Sequence, residues 1–230
     1  MISKEKKIIF LLPPKTGSTS LKRCIMEAGV HFSAPTKQVD YPVYHSTLTE
    51  IMEAYNVRED ELGDYKIIQI VRNPFDRFIS AWKHQTEIVS RFTNTPHYTI
   101  SLSEMIDKVK NHKHLLPNNI DDFYIQFYGD LSFKTNSFKN GTWGGMRFWC
   151  DQIWWNNITN TTNYFKLEDI KKDTTELSDY IGLKLPKLPH IKPNMHSKRD
   201  SDYRAYYTDG DMESVNKLFN NDITTLNYEF

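Results

Sequence analysis

Apolar and polar positions divide the first half of the chain into repeated strand, turn and helix segments. Lys6-Lys-Ile-Ile-Phe-Leu-Leu12 is a short apolar run closed by Pro13-Pro14, the pattern of a strand buried on both faces. Lys15 to Ser20 follow, and then Leu21, Cys24, Ile25 and Ala28 recur at helical spacing up to Gly29, a natural helix stop. Tyr41 to His45 reads as extended, and Thr47-Leu-Thr-Glu50 is a capping-box pattern opening a helix with Leu48, Ile51, Met52 and Tyr55 on one face. Tyr65 to Val71 is the clearest strand, and Pro74 opens a helix bearing Phe75, Phe78, Ile79 and Trp82. This alternation predicts an α/β fold with a central, mainly parallel sheet and helices on both faces.

Later segments are read more coarsely. Ser101-Leu-Ser-Glu104 caps a short helix through Val109, and Asn163 to Leu167 is another strand, with a helix from Glu168 to about Ile181. Leu183 to Asn194 holds three prolines and is expected to be extended. Thr208-Asp-Gly-Asp211 caps a last helix carrying Met212, Val215, Leu218, Phe219, Ile223 and Leu226. The aromatics between Phe123 and Trp155 are read first as core and loop packing, with a ligand platform as the alternative.

At 230 residues with 39% hydrophobic positions, the chain is long enough for one well-filled domain, taken as 1–230. Lys plus Arg and Asp plus Glu are 29 each, so a general nucleic-acid binder is disfavoured and any basic site must be local. The two cysteines, Cys24 and Cys150, make no disulfide framework, and no Cys/His spacing suggests a metal. The Ile8 to Leu12 run is too short for a signal-peptide core or a membrane span. A soluble, cytoplasmic protein without membrane insertion is therefore expected.

Two strand-to-helix turns carry candidate chemistry. In Pro14-Lys-Thr-Gly-Ser-Thr-Ser20, Lys15 brings a charge and Gly17 allows close backbone approach. Ser18, Thr19 and Ser20 add hydroxyls where a helix exposes unpaired N–H groups. The lysine stands two positions before the single glycine, so this is not the Walker pattern, and the segment alone reads equally as a capped helix with an incidental lysine. In Val71 to Ser80, Arg72 leaves a strand end and Ser80 lies about two helical turns on, a pair suited to a terminal phosphate. Alone, this turn reads as well as one in which Arg77 and Asp76 form surface pairs and Arg72 caps the sheet.

Together, Pro14 to Ser20 and Val71-Arg-Asn-Pro-Phe-Asp-Arg-Phe-Ile-Ser-Ala-Trp82 resemble the two nucleotide-binding motifs of sulfotransferases that use 3′-phosphoadenylyl sulfate (PAPS), most nearly the membrane-associated carbohydrate type, family 2. Tyr164 to Ile170, Leu188 to Ile191, Tyr203 to Asp209 and Val215 to Phe230 extend the likeness, leaving the middle uncovered. The resemblance implies a P-loop-like three-layer fold, PAPS as donor and adenosine 3′,5′-bisphosphate as product. It also implies that Lys15, Thr16, Gly17, Ser18, Thr19 and Ser20 hold the 5′-phosphosulfate, and that Arg72 and Ser80 hold the 3′-phosphate. Lys198 and Arg199 are added as a late loop closing on the nucleotide, against the bland alternative of a solvated charge cluster. Members of that type usually carry an N-terminal membrane anchor, whereas this sequence opens almost at its first strand.

Sulfuryl transfer needs a cation at the leaving phosphate, for which Lys15 is typed, and a base for the acceptor hydroxyl. A metal is not required by this logic. His45, just before a helix N-terminus that disfavours imidazolium, is the chosen base, with a merely packing histidine as the alternative. His84, Glu50 and Glu53 stand behind it. The acceptor is expected to be a hydroxyl on a saccharide, bound by a variable region at about 86–160. The competing functions are a P-loop nucleotide kinase using ATP and magnesium, and a non-catalytic nucleotide- or glycan-binding module.

Overall fold

A computed structural model describes residues 1–38, 43–92, 99–116, 118, 122, 127, 145–158, 162–189 and 202–230. In chain order the elements are β1 (Ile2–Ser3), β2 (Ile8–Leu11), α1 (Ser18–Glu27), α2 (Leu48–Tyr55), β3 (Lys66–Val71), α3 (Pro74–Phe92) and α4 (Leu102–His112). They continue with β4 (Asn163–Lys166), α5 (Leu167–Lys172), α6 (Thr175–Ile181), α7 (Asp209–Leu218) and α8 (Asn220–Thr225). The chain divides into two compact units, Met1–Arg72 with Gln152–Met195, and Asn73–Asp151 with His196–Phe230.

The first unit holds the sheet, in the order β1-β2-β3-β4. β2, β3 and β4 run parallel, with Ile9 beside Ile67 and Ile70 beside Phe165, and β1 lies antiparallel on β2. Side chains alternate across a strand, so the continuous apolar run of β2 feeds two cores. Ile8, Phe10 and Leu12 pack with Leu21, Cys24 and Ile25 of α1 and with Leu167, Ile170, Leu177 and Ile181 of α5 and α6. Ile9 and Leu11 pack with Leu48, Ile51 and Ala54 of α2. The fold is α/β, with helices on both faces of the sheet.

Local signals act as the sequence implies. Thr47 and Glu50 form a reciprocal capping box at α2, and Ser101 with Glu104 does the same at α4. Gly29 takes φ +84° just past α1. Three segments differ from expectation. Val43–His45 is a single 3-10 turn rather than extended chain, and it sets His45 against the Leu12 carbonyl just past β2. The helix expected to run to Ile181 breaks at Asp173, whose carboxylate accepts bonds from the Thr175 N–H and hydroxyl and so caps α6. The last helix breaks at Phe219, which leaves helical dihedrals (φ −119°, ψ 27°).

The second unit is helical in its described part. Phe75, Phe78 and Ile79 of α3, Ile106 and Val109 of α4, Trp149, and Val215 and Phe219 near its end share one core. Trp149 is fully buried here and Trp155 is fully buried in the first unit, so both are packing residues. Arg77 is buried too. It pairs with fully buried Asp222 at 4.0 Å and donates to the Cys150 carbonyl at 3.0 Å, so its guanidinium lies in the interior of this unit rather than at a surface. Asn73 accepts from the Phe75 N–H and donates to the Glu229 carbonyl, tying the start of α3 to the chain's last residues.

Candidate active site

The first unit gathers three segments at the carboxyl ends of its parallel strands. After β2, the chain turns through Pro13 to Gly17 into α1. Thr16 is buried and its hydroxyl donates to the Pro13 carbonyl at 2.7 Å, so it builds this turn. Lys15 and Gly17 both take left-handed backbone, φ +70° and +75°. A Cβ on Gly17 would lie 2.6 Å from Leu167 Cδ1. The glycine is thus required by the backbone and by the packing of α5 on the turn. Gly17, the residue that precedes α1, makes no side-chain cap bond, and the N–H groups that open a helix suit an anion.

The second segment is the end of β3. Arg72, only 7% exposed, donates from Nη1 to the Lys15 carbonyl at 2.8 Å. That bond joins two turns 57 residues apart. Lys171 of α5 stands close enough for its charge to be felt. Desolvation, and then the Arg72 guanidinium, push the Lys171 ammonium below the ordinary lysine range. Like charges held together in this way are relieved by a bound anion.

The third segment is the 3-10 turn. His45 Nδ1 lies 2.7 Å from the Leu12 carbonyl. A carbonyl only accepts, so Nδ1 carries the proton and the neutral ring has its lone pair at Nε2. The Tyr44 ring meets the His45 ring edge to face at 4.6 Å. Burial raises the Tyr44 phenol's pKa, and side-chain hydrogen bonds with Ser18 and Thr19 pull it back. Lys22 Nζ sits 5.2 Å from the Tyr44 ring centroid.

Lys15, Thr16, Gly17, Ser18, Thr19, Ser20, His45 and Arg72 therefore belong to one unit. Ser80 lies on α3 in the other unit, half-buried, and Lys198 and Arg199 fall outside the described residues. Of the reserve bases, Glu50 is engaged as the α2 capping carboxylate, accepting the Thr47 N–H at 2.7 Å. Glu53 is exposed on α2, and His84 packs on Phe148 in the second unit. Sequence reasoning passed over Tyr44, Gln152 and Lys171. Gln69, a polar residue in the middle of an apolar strand, is the signal that leads to Gln152. Among the described residues no group of three or more His, Cys, Asp or Glu could hold a metal ion, and no helix is long and apolar enough to cross a membrane.

The model of the sulfotransferase family matches residues 1–229. No curated protein matches the chain. Among solved structures, a sulfotransferase from Alicyclobacillus acidocaldarius is similar at 14% identity and a TM-score of 0.39, over 96% of this chain and 98% of that one.

Proposed function

The chain belongs to the sulfotransferase family, and from that membership we propose that it moves the sulfuryl group of PAPS onto an acceptor hydroxyl of a saccharide, with 1–230 acting as one P-loop-like catalytic domain. PAPS, when bound, supplies a sulfuryl group on a phosphate that leaves with added negative charge. Lys15 and the N–H groups opening α1 meet that charge, helped by the hydroxyls of Ser18, Thr19 and Ser20. Arg72 serves the 3′-phosphate, with Ser80, Lys198 and Arg199 as its further ligands. His45 accepts at Nε2 the proton that the acceptor hydroxyl gives up. The imidazolium then keeps its Nδ1–H on the Leu12 carbonyl, so the ring need not turn during transfer. The region at about 86–160 is the proposed acceptor-binding part.

The observation that carries this reading is the 2.8 Å bond from Arg72 to the Lys15 carbonyl. A single nucleotide with phosphates at both ends needs its two anchors on one rigid frame, and this bond supports that requirement. A kinase reading would want the lysine directly after a second glycine, which this turn lacks.

The test is a labelled-PAPS transfer screen over glycans, small alcohols and phenols, run beside thermal shift with adenosine 3′,5′-bisphosphate without magnesium. Stabilisation and transfer are expected. Lys15→Ala should lower turnover by roughly 10²–10³-fold, and His45→Ala by roughly 10²–10⁴-fold. Stabilisation by ATP with magnesium alone would replace this reading with a kinase. Nucleotide binding without transfer to any acceptor would replace it with a binding module.

A further inference from the structure

Gln69 interrupts the apolar run of β3 and is fully buried. Its Nε2 donates to the backbone carbonyl of Gln152, itself fully buried, from the segment that returns to the first unit. Gln152 then turns its side-chain amide onto the backbone of Arg72. Oε1 accepts the Arg72 N–H at 2.8 Å, and Nε2 donates to the Arg72 carbonyl at 2.8 Å. A primary amide has one acceptor and one donor edge in the spacing of a peptide group. Gln152 therefore pairs with Arg72 as a strand residue would, one position beyond the end of β3, where the ladder to β4 has stopped at Val71 and Lys166.

The consequence falls on the guanidinium. A residue leaving a strand end is ordinarily free to rotate about its own backbone, and a long side chain amplifies that rotation at its tip. Both backbone polar groups of Arg72 are held, so the side chain starts from a fixed base and reaches the Lys15 carbonyl. We propose that Gln152 is a positioning residue for the 3′-phosphate grip, locking the backbone of Arg72 so that its guanidinium is preorganised for that group. This rests on the reading of Arg72 as the 3′-phosphate ligand. A ligand held on a fixed base loses less freedom on binding than one on a mobile strand end.

The experiment compares the affinities of adenosine 3′,5′-bisphosphate and adenosine 5′-monophosphate by calorimetry, for the unaltered protein and for Gln152→Met, which keeps volume and removes both amide bonds. The unaltered protein should favour the bisphosphate, and Gln152→Met should lose about tenfold of that preference. A merely structural role would weaken both nucleotides alike and leave the ratio unchanged, which overturns the proposal. Equal binding of the two nucleotides by the unaltered protein would instead refute the reading of Arg72 itself, and the proposal with it, in an arm that involves no variant. If Gln152→Met does not fold, Gln152→Glu keeps the bond from the Arg72 N–H and loses the donor to its carbonyl. The same ratio is then measured: a reduced preference supports the positioning role, and an unchanged one overturns it.

Discussion

Replacing Gly17 by alanine tests whether the turn between β2 and α1 is shaped by its backbone and its packing together. The new Cβ meets two separate obstacles. At φ +75° an L side chain is in the left-handed region, which costs about 1–2 kcal/mol. It would also lie 2.6 Å from Leu167 Cδ1 and 3.0 Å from Cδ2. Leu167 is 1% exposed within the α1, α5 and β2 core, so its side chain has no open space to enter. Overpacking of that kind costs about 1–3 kcal/mol. Gly17→Ala should therefore lose roughly 2–5 kcal/mol in urea unfolding. Leu167→Ala alone should lose about 2–5 kcal/mol through its cavity. In the double variant the clash is gone and the backbone cost remains, so the two losses should fall short of additivity by about 1–3 kcal/mol. A loss below about 1 kcal/mol for Gly17→Ala, or strict additivity in the double variant, would refute the argument.

Two further outcomes follow from burial. Cys150 is fully buried, and desolvation pushes its thiol up to about 12, only partly countered by Arg77, Arg147 and Lys113. At pH 8 about one molecule in 10⁴ carries the thiolate, so Cys150 should resist a disulfide-exchange reagent in the native protein and react in denaturant; fast native labelling at Cys150 would contradict this. Arg77 and Asp222 are 2% and 0% exposed, so Asp222→Ala should cost about 3–5 kcal/mol by removing the carboxylate that offsets a buried guanidinium charge. Pairing it with Arg77→Met should recover most of the loss in chemical unfolding, and no recovery would show that the pair is not the source.

The order of turns, caps and strands was readable along the chain because those signals are local. A capping box spans four residues, and a strand buried on both faces announces itself in its own composition. Thus β2, β3, the α2 and α4 starts and the stop at Gly29 all lie where the pattern puts them. Breaks inside long helical patterns were not legible at Asp173 and Phe219. There, a side-chain cap and a single non-helical dihedral override periodicity.

Composition along the chain specifies the kind of turn: a lysine, a glycine and three hydroxyl residues opening a helix, and an arginine leaving a strand. The folded chain alone establishes that Arg72 donates to the carbonyl of Lys15, that His45 Nδ1 meets the Leu12 carbonyl, and that Gln152, 80 residues away, holds the Arg72 backbone. Such contacts depend on strand order and on which residues the crossovers bring back to the same sheet edge. No spacing along one chain encodes a hydrogen bond between segments that meet only after the sheet has formed.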